Sequence, residues 1–214
     1  MQKESGIIFD FDNLLVATNQ FVIDHLSKTC QKSNMTLPTS EIITAVLKKN
    51  LSFENIFTEL FGDRGAGILA TYRDTAMETP YRATEEGLEF VQGQLALGIL
   101  MIIVSNRVNK LEERLTQAGY NPKDFLAILK AEPAKPDQKA YDPAIALLQE
   151  KEIPKSRIKI FGDHPDDYLA CPDDLRTNFV AVTTGLTTRE GFIKVGVNEQ
   201  NIWQSLKHPS PSIT

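Results

Sequence analysis

Two carboxylates near the start of the chain, Asp10 and Asp12, have the residue type and spacing that most directly suggest chemistry. They follow an apolar run at residues 6–9. Like charges this close repel each other, so stability alone does not favour the pair. A divalent cation with hard oxygen ligands would offset the repulsion, and one carboxylate could then act as a nucleophile. The alternative is a strand that simply leaves the core into a polar turn.

Later segments add side chains suited to binding phosphate. Ser105 and Asn106 follow the apolar run 99–104, and a hydroxyl with available backbone N–H groups at a strand-to-helix turn can bind phosphate oxygens. Both residue types are also preferred helix N-caps, which is the structural alternative. Lys135, in the sequence Ala-Lys-Pro-Asp, could neutralise carboxylate and phosphate charge, or it could be one more solvated surface lysine.

A further acidic segment, residues 162–167, reads Gly-Asp-His-Pro-Asp-Asp and follows the apolar run 158–161. Gly162 permits a tight turn, and Asp163 with a later acid could complete a site of oxygen ligands for a metal. An acidic turn in which an aspartate caps a helix is the alternative.

The apolar runs before these residues are short and end in polar turns, which predicts buried strands of a parallel sheet. Ligands of open parallel sheets bind beyond the carboxyl ends of the strands, so we expect the side chains described above to meet there. Helical patterns at residues 85–94, 110–118 and 138–151 fit helices that connect the strands.

About ninety residues separate Asp12 from Ser105, far more than one crossover helix requires. The apolar spacing in this segment predicts four helices, which would form a small inserted bundle, at residues 19–32, 40–49, 53–61 and 68–77. Hinges are expected near residues 16–19 and 78–82, where Pro80 interrupts the helical pattern.

Composition excludes several classes of function. The chain has 214 residues, with 23 Lys and Arg against 28 Asp and Glu, so we expect no nucleic-acid partner. No apolar run has the length of a membrane span or the form of a signal peptide, so no membrane partner and a cytoplasmic location are expected. Cys30 and Cys171 are interpreted as free thiols in a reducing compartment. Residues 208–214 are predicted to form a disordered tail.

The order Asp-x-Asp, Ser, Lys-Pro and Gly-Asp-x-x-x-Asp, each beside a predicted strand, resembles the haloacid dehalogenase-like (HAD) hydrolase superfamily over residues 6–206. The resemblance implies an α/β fold, a Rossmann-like parallel sheet core with an inserted small helical-bundle cap domain. The core would comprise residues 1–16 and 81–207, and the cap residues 17–80. Caps of this kind close over small soluble substrates and exclude water. His164 stands where the family often has Ser, and would contact substrate or cap or be a half-exposed turn residue.

The resemblance also implies catalytic roles for residues at the strand ends. Asp10 would be the nucleophile that forms an aspartyl-phosphate, and Asp12 would protonate the leaving oxygen and then activate water. Ser105 and the Asn106 N–H would hold a phosphoryl oxygen, while Lys135 would offset charge on the nucleophile and the phosphoryl group.

A magnesium site is implied at the same place. Asp10 and Asp163 would bind Mg²⁺, with the backbone carbonyl of Asp12 as a further ligand, because Mg²⁺ takes hard oxygen ligands and keeps several waters. Asp167 would support the metal-bound waters or the lysine, and Asp166 is the competing candidate for that role.

The expected function is a Mg²⁺-dependent phosphatase acting on a small phosphorylated metabolite, as a monomer or weak homodimer. A carboxylate at Asp12 favours this chemistry or phosphomutase chemistry over dehalogenation and phosphonate cleavage in the resembled family. Asn13 and Leu14 replace the usual Gly-Thr of that family. Asn tolerates left-handed backbone geometry, but Leu14 cannot supply the hydroxyl. A sugar phosphomutase is one alternative function. Because Asn13 and Leu14 replace the usual residues, a phosphate-binding or interaction protein with weak or no turnover is another.

Overall fold

A parallel β-sheet is the centre of the first of two structural units. The computed structural model describes residues 5–49, 51–107 and 110–207, so the tail predicted at 208–214 lies outside the described residues. The strands are β1 (Gly6–Phe9), β2 (Leu100–Ser105), β3 (Ala127–Lys130), β4 (Ile158–Gly162), β5 (Phe179–Val182) and β6 (Ile202–Trp203). They pair in the order β3-β2-β1-β4-β5-β6, and every neighbouring pair is parallel. The predicted α/β fold with a Rossmann-like parallel sheet is confirmed.

The helices divide between the two units. The α-helices within the described residues are α1 (Thr18–Lys32), α2 (Ser40–Leu47), α3 (Phe53–Phe61), α4 (Gly65–Asp74), α5 (Gly87–Ala96), α6 (Leu111–Gln117), α7 (Asp142–Glu150), α8 (Pro165–Ala170) and α9 (Arg189–Val195). The first unit comprises the chain up to Ala17 and from Tyr81 onward, and the second is Thr18–Pro80.

The central strands are buried on both faces, which explains their continuous apolar runs. Every residue of β1 and β2 is buried. Ile8 belongs to the core cluster that contains Leu148 of α7, while the next side chain, Phe9, contacts Phe90 of α5 and Phe161 of β4 at ring-centroid distances of 6.1 and 5.6 Å. Successive side chains of a strand point to opposite faces, so these contacts place α7 and α5 on opposite sides of the sheet.

The two edge strands and the start of one helix are the main differences between the first unit and the elements predicted from the sequence. The edge strands β3 and β6 were not predicted, because β3 is only half-buried and β6 has two residues, too little for an apolar pattern. The helix predicted at 138–151 begins only at Asp142, which is a correction. The preceding residues form turns, in one of which the Lys139 N–H donates to the Asp137 carboxylate at 2.9 Å, and Pro143 lies in the first turn of the helix.

The second unit, Thr18–Pro80, contains α1 to α4. The fourth helix, predicted at residues 68–77, runs instead from Gly65 to Asp74 and is flanked by short 3₁₀ turns at Gly62–Arg64 and Ala76–Glu78. Gly65 carries no apolar signal, but a Cβ there would lie 2.6 Å from the Phe57 carbonyl oxygen, so only glycine permits this close approach of α4 to α3. Around Tyr72 the rings of Phe57 and His25 lie at 5.1 and 4.4 Å, forming an aromatic core within the unit.

The two segments that flank the second unit pair with each other inside the first unit. Val16 and Ala83 form an antiparallel bridge, and the Ala17 N–H donates to the Arg82 carbonyl at 2.9 Å. The entry and exit points of the inserted segment are therefore adjacent in the structure. None of the helices in the described part of the chain is long and apolar enough to cross a membrane.

Candidate active site

The predicted site residues lie at the carboxyl ends of the three central strands. Asp10 directly follows β1, Ser105 is the last residue of β2, and Asp163 directly follows β4. All three residues are buried, with 7%, 1% and 5% of their surface exposed. The Asp10 N–H still donates to the Phe161 carbonyl at 2.9 Å, so the sheet itself fixes the backbone position of this carboxylate.

Lys135 joins the carboxylates of this site. Its Nζ donates to an oxygen of Asp10, to Oδ1 of Asp167 at 2.6 Å and to the Val104 carbonyl at 3.0 Å. The side chain is 3% exposed, so these contacts provide a partner for each of the three ammonium protons in a site that water hardly reaches. The alternative interpretation of Lys135 as a solvated surface lysine is therefore wrong.

Asn106 holds the backbone that carries this lysine. Its side-chain oxygen accepts from the Lys135 N–H at 2.8 Å, and its side-chain nitrogen donates to the Lys135 carbonyl at 3.0 Å. The role predicted for Asn106 in binding phosphate involved only its backbone N–H. Its amide side chain, which ties the loop after β2 to the lysine, was missed because no local signal reveals a partner 29 residues away.

Three carboxylates form a compact cluster at this site. Oxygens of Asp10, Asp163 and Asp167 all lie within 4.8 Å of one another. Burial, followed by the charges of Asp10 and Asp167, raises the pKa of Asp163 well above its usual 3.8. Burial likewise raises the pKa of Asp10 to about 7, although Lys135 lowers it. One ammonium group therefore does not balance three buried carboxylates, and this set of hard oxygen donors fits a divalent cation.

Two glycines make the cluster sterically possible. A Cβ at Gly185 would lie 1.9 Å from an Asp163 carboxylate oxygen, and one at Gly162 would lie 2.4 Å from Cβ of Asp167. At the loop after β5 and at the last residue of β4, the backbone thus approaches the carboxylates more closely than any residue with a Cβ allows.

The two candidate acids of the segment 162–167, Asp166 and Asp167, have different surroundings. Asp167 is 3% exposed at its side chain and contacts Lys135, while the Tyr141 hydroxyl donates to it at 3.3 Å. Asp166 is 34% exposed and lies near the His164 ring. The structure therefore brings Asp167, and not Asp166, to the lysine. Tyr141 was missed by the sequence analysis, since an aromatic residue before a helix carries no functional signal.

His164 begins α8. Its Nδ1 accepts from the Asp166 N–H at 3.2 Å, and its own N–H donates to Asp167 Oδ2 at 3.1 Å, which together form a capping box. With 44% of its side chain exposed, His164 has the features of the half-exposed turn residue that was one of its two interpretations. The capping box also helps orient Asp167 toward the cluster.

The Asp12 carboxylate lies outside the cluster and faces Arg107. The guanidinium of Arg107 donates from Nη2 to Asp12 Oδ1 at 2.6 Å and from Nε to Oδ2 at 3.3 Å. Arg107 also lies over the rings of Phe11 and Tyr81, at 5.7 and 5.6 Å from their centroids. Burial lowers the pKa of Arg107, but the charge and hydrogen bonds of Asp12, together with Tyr81, raise the pKa overall. Asp12 was predicted to reach the metal through its backbone carbonyl, which stays a prediction.

The backbone geometry of Asn13 and the burial of Leu14 explain why these residue types can stand in the first motif. Asn13 has a φ of 53°, which is the left-handed geometry expected for a residue that replaces Gly. Leu14 is completely buried, and its carbonyl accepts from the Thr84 hydroxyl at 2.7 Å. The Leu14 side chain is therefore a packing residue with no access to solvent.

The fold and the site together define an α/β protein with buried carboxylates and a lysine at the carboxyl ends of its central parallel strands. The family model of the haloacid dehalogenase-like hydrolases matches residues 7–182. The chain belongs to this family, as its four motifs suggested. A comparison with curated protein sequences finds no significant match.

Solved structures of several bacterial proteins have the same fold. A haloacid dehalogenase-like hydrolase assigned in Bacteroides fragilis has a TM-score of 0.69 at 20% identity, covering 95% of this chain and 98% of its own. A Thermotoga maritima protein assigned as a beta-phosphoglucomutase has a TM-score of 0.73 at 13% identity, covering 94% of each chain. A Lactobacillus delbrueckii subsp. bulgaricus protein assigned as a phosphoglycolate phosphatase has a TM-score of 0.66 at 16% identity, covering 95% of each.

Proposed function

We propose that the chain is a Mg²⁺-dependent phosphatase that hydrolyses a small phosphorylated metabolite through an aspartyl-phosphate. The observation that carries this proposal is the position of Lys135, which bridges Asp10 and Asp167 inside a cluster of three buried carboxylates. A buried lysine beside a strand-end carboxylate offsets negative charge where an incoming phosphoryl group adds more. The family membership and the phosphatase assignments among proteins of this fold support the same reaction class.

Each carboxylate near β1 has a separate role in this reaction. An oxygen of Asp10 attacks phosphorus while the ester oxygen leaves, and Asp12 gives that oxygen its proton. Water then attacks the phosphorus of the aspartyl-phosphate, Asp12 takes a proton from this water, and the Asp10 carboxylate is released with inorganic phosphate. The different surroundings of the two carboxylates support the division, since Asp10 is buried beside Lys135 and Asp12 is 31% exposed at its side chain.

Binding of the phosphoryl group is assigned to the residues after β2 and to the lysine. Ser105 supplies its hydroxyl, Asn106 its backbone N–H, and Lys135 a positive charge that is already fixed in place. Asp10 and Asp163, with the Asp12 carbonyl, would hold Mg²⁺, which when bound neutralises charge on the phosphoryl oxygens. Asp167 keeps the ammonium group of the lysine oriented.

The inserted helical unit is assigned a role in choosing the substrate. The chain leaves the first unit directly after the Asp12 motif, so residues 18–80 begin a few residues from the proposed nucleophile. We assign Thr18–Pro80 as the cap domain on this ground, in an enzyme that works as a monomer or weak homodimer in the cytoplasm.

The proposal is tested by hydrolysis of a generic aryl phosphate and a panel of phosphorylated metabolites, with Mg²⁺ and with a chelator. We expect turnover that requires Mg²⁺ and that falls at least 10³-fold in Asp10→Asn, a nearly isosteric change. Asp173→Asn, at a 77% exposed side chain, is the matched control and should keep full activity. Activity of Asp10→Asn within tenfold of the parent would refute the assignment of Asp10 as the nucleophile.

Two other outcomes would identify the alternative functions. Interconversion of sugar phosphates without phosphate release would identify a phosphomutase, and phosphate binding without turnover would identify a binding protein.

A further inference from the structure

Arg107 follows the phosphoryl-binding residues and engages the Asp12 carboxylate. Its backbone N–H donates to the Ser105 hydroxyl oxygen at 3.1 Å, so the side chain starts one residue away from the proposed phosphate site. The guanidinium holds both oxygens of Asp12 through Nε and Nη2. This planar fork can donate two parallel hydrogen bonds to the two oxygens of a carboxylate or to two oxygens of a phosphate.

The surroundings of Arg107 fix the guanidinium independently of Asp12. The side chain lies over the rings of Phe11 and Tyr81, and Tyr81 is itself covered by Arg114, whose guanidinium carbon is 4.1 Å from the ring centroid. Phe11 is completely buried and Tyr81 nearly so, at 3% exposure. Stacking on aromatic faces gives the guanidinium contacts that do not depend on its hydrogen-bond partner. The fork is therefore preorganised for an anion.

The pair of Arg107 and Asp12 is also open to exchange. The two side chains are 24% and 31% exposed, whereas Lys135 and Asp167 of the neighbouring pair are each 3% exposed. Because both side chains keep access to solvent, an incoming anion can reach the guanidinium and compete with Asp12 for it. Asp12 has to reach the leaving oxygen of the substrate, so it must give up at least part of its contact with Arg107 during the reaction.

We propose that Arg107 recognises a second anionic group of the substrate, a carboxylate or phosphate close to the ester oxygen, and releases Asp12 in exchange. This inference rests on the proposed phosphatase function and narrows its substrate class to esters with two anionic groups. A substrate with such a group would both bind through the arginine fork and free the general acid. A substrate without one would leave Asp12 held by Arg107.

The test compares the phosphate esters of glycolate and of glycolamide, which are nearly equal in size. The glycolate ester carries a negatively charged carboxylate, and the glycolamide ester has a neutral amide in its place. We expect kcat/KM to be about tenfold or more higher for the glycolate ester, as the loss of a charge-assisted hydrogen-bond pair implies. Arg107→Gln should reduce this preference to within twofold, and Arg107→Lys should retain part of it. Lys155→Gln, which removes one positive charge at an exposed ion pair, controls for net charge and should keep the full preference.

A purely structural role for Arg107 predicts a different result. If the arginine only holds Asp12, Arg107→Gln slows both esters equally and the ratio between them does not change, which would overturn the inference. Equal rates for the two esters in the parent would also overturn it while leaving the phosphatase proposal intact. If the parent hydrolyses neither ester, calorimetric binding of both esters to Asp10→Asn, with and without Arg107→Gln, decides the matter. Binding that favours glycolate phosphate only when Arg107 is present supports the inference.

Discussion

At the scale of single residues, Lys135 has the clearest energetic role. It is 3% exposed and pairs with two carboxylates that are 10% and 3% exposed. Removing one member of a buried ion pair leaves the others uncompensated, which is far more destabilising than losing an exposed pair. The lysine that is proposed to act in catalysis thus also stabilises the fold.

Lys135→Met should lower the free energy of unfolding by roughly 3–5 kcal/mol near pH 7. The matched control is Lys130→Met, because Lys130 pairs with Glu132 at side chains that are 43% and 69% exposed, and it should cost at most about 1 kcal/mol. Urea unfolding of both variants gives the comparison. Equal losses in the two variants would contradict the importance assigned to the buried pair.

A substitution at Leu14 tests whether this residue serves packing or whether the hydroxyl that it lacks limits catalysis. Because Leu14 is completely buried, Leu14→Thr should remove packing and bury a hydroxyl, at a loss of roughly 2–5 kcal/mol of stability. The control Leu14→Met conserves volume and should lose less than about 1.5 kcal/mol. Thermal melting and kcat are measured on the same preparations. A Leu14→Thr enzyme that is faster than the parent would instead show that the missing hydroxyl limits catalysis and would contradict the packing role.

At the scale of elements, a buried histidine links helices and the last turn of the second unit. His25 of α1 contacts the Tyr72 carbonyl of α4 through Nε2 at 2.8 Å and the Thr79 hydroxyl through Nδ1 at 2.9 Å. Since a carbonyl only accepts, Nε2 carries the proton and Nδ1 accepts from Thr79. The neutral imidazole therefore satisfies both partners.

This arrangement predicts a pH-dependent stability for the second unit. Burial, opposed by the Tyr72 carbonyl and assisted by Lys28, lowers the pKa of His25 below its usual 6.5. The unfolded chain then binds more protons than the folded one, so stability is complete above pH 6.5 and is lost as the pH falls through the folded-state pKa. NMR titration of the His25 ring measures this directly. A pKa at or above 6.5 would refute the prediction, and His25→Gln should flatten the acid side of the melting curve.

At the scale of the whole molecule, the carboxylate cluster couples ion binding to folding. A ligand that binds only the folded state adds RT ln(1 + [L]/Kd) to stability, about 1.4 kcal/mol at ten times Kd. For a chain of this length the melting temperature should rise by roughly 3–6 °C on addition of millimolar Mg²⁺. KCl at equal ionic strength is the control for screening.

The variant Asp163→Asn distinguishes stabilisation by Mg²⁺ bound at the cluster from a general effect of added salt. The variant removes one of three crowded carboxylates, so it should melt higher than the parent without metal, and Mg²⁺ should shift it less. Asp173→Asn, an exposed change of the same type, should respond to Mg²⁺ like the parent. No Mg²⁺-specific shift in the parent would show that the cluster does not bind the ion under these conditions.

The sequence by itself determined the elements of this protein that depend on local patterns. Continuous apolar runs mark β1, β2 and β4 because these strands are buried on both faces, and the amphipathic spacing between residues 19 and 61 marks α1, α2 and α3. The position of polar residues at the ends of the apolar runs was enough to predict that Asp10, Ser105 and Asp163 lie at one edge of the sheet, since parallel strands all end there.

Only the tertiary structure decided which side chains meet at that edge and what each of them contacts. Asn106 holds Lys135 from 29 positions away and Arg107 reaches Asp12 across 95, separations over which no local pattern carries information. Asp166 and Asp167 are adjacent in sequence and chemically identical, and the capping box at the start of α8 turns only Asp167 to the lysine. Sequence patterns report burial and backbone geometry, whereas a contact between distant residues depends on how separate elements pack together.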